Sequence, residues 1–394
     1  MRIVMVNSVS FLPTQGRYRW VYAQAKSLVD AGHEVHILAW DRLLEAPERE
    51  VIDGIHVERI RVKAGFGRLT PIRTAFRLLW FHIRLLVRLL GIHADVFHTF
   101  NPDVIPPVAL VARLTRKPHV MALIEPHYYY NWPDRYRPLI KLLDGAERHF
   151  ALRASAVVVH NLYQVNKFTQ MGVRNVVHLA QVPDRALADA ELPDRSKRTG
   201  TVVFGRIGTV FGGINGIEEL IPAFKAVLDT GHDAKLVIAG RVSPEFEEEF
   251  KKLVAPLGDK LVVTGSFHPN EIAKQYEGVD VSIQLTPRTI FYRYITPTKF
   301  TDSLAHGVPV ISSAIGDVPY LAEKTGAAIL VDETNVESIR DGMTRLIEDR
   351  ELRLRMGKAG LDLVRNEYCW DQMQHRLFAL YDSLDPKARA AHAA

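Results

Sequence analysis

A chain of 394 residues with 47% hydrophobic and 24% charged residues is long enough for two cores of ordinary size and too apolar to be disordered. Its net charge of +5 is too small for a dedicated nucleic-acid binder, and a single cysteine, Cys369, excludes an internal disulfide or a cysteine-based metal cluster. No run of about 18 uncharged apolar residues occurs, and the opening MRIVMVNSV reads as a strand without a cleavable leader, so a cytoplasmic protein with no membrane span is expected.

In chain order, the apolar run Arg2 to Val6, the glycine-containing loop PTQGRYR, a helical stretch from about Trp20 to Ala31 and the run EVHILAW form a βαβ unit, which predicts a parallel sheet. The alternation continues through ADVFHTF, the proline-rich turn NPDVIPP, a helix near Val108 to Thr115, the strand PHVMALIE and the run SAVVVHN. Around residues 191–200 the sequence ELPDRSKRTG turns polar and is followed by a fresh strand start, TVVFGRIG, which predicts a domain boundary there. The runs KLVIAG, KLVVTG, VDVSIQL, VPVISS and AAILV repeat the pattern, and helices close the chain at Val336 to Asp349, Glu351 to Glu367 and Trp370 to Leu384. Both halves read as doubly wound α/β domains, with ligands expected beyond the carboxyl ends of their strands.

Charge is concentrated in one place. From Arg59 to Arg88 there are eight Lys or Arg and no Asp or Glu. Within it, PIRTAFRLLWFHIRLLVRLL places Arg73, Arg77, Arg84 and Arg88 in an arc of roughly 60° at the helical 100° per residue. Two roles stand open for this helix: lying in a bilayer interface against anionic headgroups with Trp80 inserted, or closing the first core with its arginines solvated.

The most informative segment runs from Pro297 to Leu321. Pro297 opens a helix, the preceding loop through Tyr294, Ile295 and Thr296 can aim backbone N–H groups at an anion, and Gly307 ends the helix before a strand. This stretch is similar to the donor site of retaining glycosyltransferases of family 4 (group 1), which carry P-x-K-x-x-E-x-x-A-x-G-x-P-V. Pro297, Lys299, Ala305, Gly307, Pro309 and Val310 match identically, and Asp302 stands at the glutamate. In the family that glutamate holds the ribose hydroxyls; Asp302 would do so with a shorter reach, or it merely decorates the helix. Tyr294 stands where many members have a second glutamate that contacts the donor sugar.

The segment from Phe204 to Phe224 resembles the family's G-R-loop-K-G segment, with Gly205 and Arg206 in place and Asn215 where the lysine would be. A fixed guanidinium at Arg206 suits a departing diphosphate, on which negative charge develops. Asn215 removes one cation, which the glycine-rich loop Gly208 to Gly213 would have to offset with backbone N–H groups. In the first half, Gly16 stands where the family has a phosphate-facing glycine loop, or simply makes a hairpin-like turn at positive φ, and ALIEPHYYY resembles the strand ending in D-x-H-E, with Glu125, His127 and Tyr128 at those positions, where His127 contacts the donor sugar or serves only the structure.

The resemblance implies a GT-B fold, two Rossmann-like doubly wound domains facing across a cleft: an acceptor-side domain over 1–190, a linker over 191–200, a nucleotide-sugar domain over 201–368, and a helix over 369–394 returning to the first domain. It further implies metal-independent, retaining transfer (of EC 2.4 type) from a donor such as a UDP-sugar or GDP-sugar, with no cofactor, to a glycan or lipid-linked acceptor on the inner face of the plasma membrane, as in bacterial surface polysaccharide synthesis. His127 and Arg206 are the expected catalytic residues. No Asp-x-Asp or other metal-binding pattern occurs in the sequence. The departures at Tyr294, Asn215 and Asp302 raise the alternative of a catalytically weak or inactive subunit that binds glycan or a partner enzyme. A nucleotide-sugar 2-epimerase can share the fold, but the P-x-K run points away from it.

Overall fold

The computed structural model describes residues 1–12, 18–44, 46–63, 71–123, 134–268, 271–289 and 292–385. The chain divides into two units, one comprising Met1–Ala180 and the chain from Met373 onward, the other Gln181–Gln372.

The first unit is built on β1 (Arg2–Asn7), α1 (Tyr18–Asp30), β2 (Glu34–Asp41), β3 (Arg49–Ile52), β4 (Ile55–Arg61), α2 (Pro71–Leu90), β5 (Val96–Thr99), α3 (Ile105–Thr115), β6 (His119–Leu123), α4 (Arg137–Ala151), β7 (Ala156–Val159), α5 (Leu162–Gln170) and β8 (Val176–His178). Its sheet runs β3-β4-β2-β1-β5-β6-β7-β8. The central strands are unbroken apolar runs because helices cover both faces of a parallel sheet; Ile3 pairs with Val35 on one side and Val96 on the other, and all three are buried.

The expectation of a parallel sheet needs one correction, since β3 is antiparallel to β4. Asp53 and Gly54 between them both have positive φ, +49° and +85°. That is the backbone a two-residue hairpin demands, and Asp-Gly supplies it cheaply.

The second unit comprises α6 (Arg185–Asp189), β9 (Val202–Ile207), α7 (Ile217–Asp229), β10 (Ala234–Ala239), α8 (Glu247–Val254), β11 (Leu261–Gly265), α9 (Ile272–Glu277), β12 (Val281–Gln284), α10 (Thr298–Ala305), β13 (Val310–Ser313), α11 (Val318–Thr325), β14 (Ala328–Val331), α12 (Val336–Glu348) and α13 (Arg350–Asn366). Its strands run β11-β10-β9-β12-β13-β14, every described pairing parallel. The direction of winding reverses between β9 and β12, so the carboxyl ends of those two strands flank the crevice where open α/β sheets take their ligands.

The last helix, α14 (Trp370–Leu384), starts in the second unit and from Met373 belongs to the first. There the Tyr381 hydroxyl meets His98 Nδ1 at 2.7 Å, both groups fully buried. Burial holds the His98 imidazole neutral, its pKa lowered to about 3.

The polar stretch 191–200 is not a free tether. Arg195 donates from Nε to Val279 O (3.0 Å), from Nη1 to His306 O (2.8 Å) and from Nη2 to Tyr276 O (2.8 Å). Its five donors in a rigid fork let one side chain satisfy three carbonyls at once. The segment is thereby fastened to the second unit, and the first unit ends at Ala180, ahead of the expected 190.

Candidate functional site

The crevice of the second sheet brings together residues from β9 and α10. Arg206 lies near the end of β9, buried to 3% exposure. Its Nη1 donates to Ile207 O at 2.8 Å, while Nε has no hydrogen-bond partner among the described residues. Burial lowers the guanidinium pKa to about 10, with Tyr276 nearby pulling in the opposite direction. A buried, incompletely satisfied cation is costly and persists only where something repays it.

Beside it lies a second cation, Lys299, in the first turn of α10. Burial lowers its pKa to about 8, the adjacent Arg206 charge adds to that, and Asp302 one turn further along opposes both. The strand and helix are held this close by glycine. Gly208 has φ +114°, and a Cβ there would stand 1.9 Å from Lys299 Cε; Gly240, φ +145°, would put its Cβ 2.3 Å from Gly208 O. Neither position admits a side chain, because both the space and the backbone region forbid it.

The helix α10 is shaped as its sequence predicts, with small adjustments. Pro297 is the capping residue (φ −63°, ψ 125°) and Thr298 the first helical one. At the other end Gly307, φ +64°, donates to Leu304 O (3.0 Å) and Val308 donates to Ser303 O (3.0 Å), the paired bonds of a Schellman cap. Asp302 is 2% exposed, with its backbone oxygen accepting from His306.

The loop before the helix is clamped from α11. Thr296 Oγ1 accepts from Asp317 N at 3.0 Å, and Gly316, φ +50°, passes so close that a Cβ would lie 2.2 Å from Ile295 O. Tyr294 is buried at 6% exposure.

Against the expectation that the glycine-rich loop has its N–H groups on offer, four of the six are engaged inside the second unit. Gly208 N donates to Ala239 O, Val210 N to Arg241 O, Phe211 N to Asn215 Oδ1 at 2.7 Å and Gly213 N to Glu218 Oε1 at 2.6 Å. Asn215 therefore ties the loop to itself, a short-range task its amide performs well. At Gly205 the missing side chain makes room for Val279, whose Cγ2 would be 2.6 Å from a Cβ.

Sequence reasoning missed the supports beneath this site. Tyr276, at the end of α9, is fully buried, stacks on His306 (4.6 Å between ring centres) and donates its hydroxyl to Lys299 O at 3.2 Å. Tyr276 and His306 are also two of the residues whose carbonyls Arg195 holds. Tyr276 sits in a stretch without a motif, and Arg195 in one that reads as a linker, so no local signal pointed to either.

In the first unit, Gly16, Glu125, His127 and Tyr128 lie outside the described residues. Of the α2 residues, Arg73 has only its backbone described. Arg77 is half-buried, Arg84 donates to Arg61 O (2.9 Å), Arg88 is ion-paired with Glu58 (2.6 Å), and Trp80 is 55% exposed. Among the described residues no helix is long and apolar enough to cross a membrane.

This geometry matches known proteins along the whole chain. The structure superposes on sucrose-phosphate synthase from Thermosynechococcus elongatus with a TM-score of 0.77 at 16% identity, covering 98% of this chain and 99% of that one. It also superposes on Anabaena HepE in complex with UDP, with a TM-score of 0.75 at 15% identity over 97% and 100% of the two chains. The fold is thus GT-B, two Rossmann-like α/β domains. Residues 195–362 match the family of group 1 glycosyl transferases and residues 17–183 the glycosyl transferase 4-like domain. On these two matches together, the chain belongs to the group 1 glycosyltransferases. It is 26% identical over 167 residues to the GDP-mannose-dependent alpha-(1-6)-phosphatidylinositol monomannoside mannosyltransferase of Mycobacterium tuberculosis. That similarity spans 41% of this chain and 43% of the relative, less than half of either.

Proposed function

We propose that this chain transfers a sugar from a nucleotide-diphosphate donor to a glycan or lipid-linked acceptor. The observation that carries it is the pair Arg206 and Lys299, a buried and a half-buried cation at the switch point of the second sheet, one with a guanidinium N–H that no described residue accepts. A diphosphate is the ligand that satisfies both. It accepts from a guanidinium fork and from an ammonium, and breaking the sugar–phosphate bond adds charge where these two groups stand. Asp302 is then the residue for the ribose hydroxyls, and Ile295 and Thr296 shape the wall on which the donor rests.

Two protein cations at the leaving group can carry the stabilisation a metal would supply, so we read the transfer as metal-independent. The retaining outcome, with the leaving phosphate accepting the acceptor's proton on the same sugar face, rests on the family resemblance alone, in which the residue at the position of His127 lies near the donor sugar. The mycobacterial relative, named for GDP-mannose and a phosphatidylinositol mannoside, supports a hexose donor and a lipid-linked acceptor; a role in surface glycoconjugate synthesis at the cytoplasmic face of the membrane rests on the family resemblance. The HepE complexes with UDP and UDP-glucose keep a UDP-sugar equally in view.

The direct test is calorimetric titration of UDP, GDP, ADP and their sugars into the purified chain and into Arg206→Ala. Saturable binding of one nucleotide that weakens in the variant supports the assignment and fixes the donor class; equal binding in both overturns it.

One observation favours the second role, a catalytically weak or inactive subunit. Asn215 replaces a cation and its amide oxygen accepts from Phe211 N, so that position offers a phosphate no charge. Transfer to any acceptor, detected by radiolabelled donor, would sink that alternative.

A further inference from the structure

The first unit carries a surface that the donor chemistry does not use. Strand order steps one way from β4 to β5 to β6 to β7, and right-handed crossovers therefore place α2, α3 and α4 on one face of the sheet, with α1, which steps the other way, on the opposite face. The three are neighbours, α2 packed on α3 and α3 on α4.

The helix α2 closes the core with Phe81, Leu85 and Leu89, the Phe81 ring stacked on Trp40 at 4.3 Å. Its opposite side should be charged if it met only water. Instead, at about 100° per residue, Phe76, Leu79, Trp80, Ile83, Val87 and Leu90 share an arc of about 100° there, and all six are exposed, Phe76 to 70% and Val87 to 69%. Arg77 and Arg84 border this arc on one edge. The pattern extends to the next helices: α3 exposes Leu110 and Leu114 beside Arg113, and α4 exposes Leu139 and Leu142 beside Lys141. Scattered surface leucines need no explanation, but an apolar stripe continued over adjacent helices does.

The fully exposed charge on these three helices is of one sign. Neither α2 nor α3 contains an acidic residue, and in α4 Asp144 is half-buried and Glu147 is buried against Lys167. A second copy docking by the same patch would set these cations against their own kind. A bilayer with anionic headgroups has the complementary make-up: apolar groups enter the acyl boundary while arginine and lysine reach the phosphate level.

We infer that the α2–α3–α4 face is a docking surface for anionic lipid bilayers. It deepens the lipid-linked-acceptor part of the function proposed above by naming the surface that brings the chain to its acceptor. The three helices act together, with α2 inserting its apolar arc and α3 and α4 widening the contact.

Flotation with vesicles of equal parts phosphatidylglycerol and phosphatidylcholine, against phosphatidylcholine alone, tests it. The full chain should float with the mixed vesicles, far less with the neutral ones, and less as salt rises. The pair Trp80→Glu and Val87→Glu, both at exposed sites, should lose binding at least tenfold with an unchanged Tm. Arg113→Gln and Lys141→Gln should each weaken it about fivefold, the effect of one cation at an anionic surface. No binding by the unmodified chain, or binding unchanged in the Trp80/Val87 pair, overturns the assignment. A concentration-dependent dimer that the same pair dissolves would give the face to a second copy instead. Vesicle binding needs no nucleotide, so Arg206→Ala should float normally; flotation of the unmodified chain with no transfer from any nucleotide-sugar would sink the proposed function and leave this surface standing.

Discussion

Gly208 passes so close to Lys299 that a Cβ on it would fall 1.9 Å from the lysine's Cε. The strand end that carries Arg206 and the helix that carries Lys299 are therefore set by the absence of a single carbon.

Gly208→Ala is expected to push the Lys299 side chain out of place and to strain a φ of +114° by about 1–3 kcal/mol. The affinity for the nucleotide diphosphate should fall about tenfold or more, measured by calorimetry, with the fold retained by circular dichroism. Unchanged affinity would mean that Lys299 does not touch the donor.

Arg206 holds a buried charge with one donor unmatched, so its removal separates stability from activity. Arg206→Met should leave Tm unchanged or raise it, since an apolar group of similar length suits the site better. The turnover rate should fall by about 10²–10³, as when one stabilising donor is lost from a transition state. A lower Tm with intact nucleotide binding would make Arg206 a structural residue.

Lys299 supplies a pH signature. Its folded pKa of about 8 lies below the ordinary 10.5, because burial and Arg206 disfavour the charged form. Below about 8 the ammonium is charged and ready for a diphosphate; as pH rises through 8 the charge is lost and donor affinity should decline. Binding should also draw in a proton above pH 8, visible as a dependence of calorimetric enthalpy on the buffer. The stability of the free protein runs the other way. Between about 8 and 10.5 the unfolded chain binds the extra proton, so Lys299 contributes a gain in stability with rising pH. Lys299→Gln should flatten both trends; a profile that it leaves intact would assign them to another group.

Arg195 fixes three carbonyls that belong to the supports of α10. Arg195→Lys keeps the charge but not the fork, leaving at least one buried carbonyl unmatched. A loss of about 2–4 kcal/mol in urea unfolding is expected, together with a higher KM for the donor. A loss of stability with an unchanged KM would limit Arg195 to holding the segment in place.

Much of the site was legible in the sequence because its parts are local. Lys299 and Asp302 sit within one short helix and Gly307 just past its end, where spacing alone puts the cation in the first turn and the glycine at the left-handed cap. Arg206 was legible for the same reason, as the residue at the end of a strand before a glycine. The hairpin at Asp53 and Gly54 was equally available, since Asp-Gly between apolar runs is a strong turn signal, yet the surrounding βαβ rhythm masked it. Asn215 misled in a different way. The substitution was visible, but that its amide oxygen would take up the loop's own Phe211 N–H depended on a turn geometry the sequence does not spell out.

The sequence by itself determined the two α/β halves, the donor-type motif and the residues that would carry charge, because strand and helix periods and capping rules act over a few residues. Tertiary structure alone decided that Arg206 and Lys299 lie close enough for their charges to repel, since burial and mutual repulsion exist only once β9 and α10 are packed. It also decided which side of α2 faces the core. Its periodicity fits a core helix and a membrane-surface helix equally well, and only the sheet beneath it selects Phe81, Leu85 and Leu89 for the core and leaves Phe76, Trp80 and Val87 facing out.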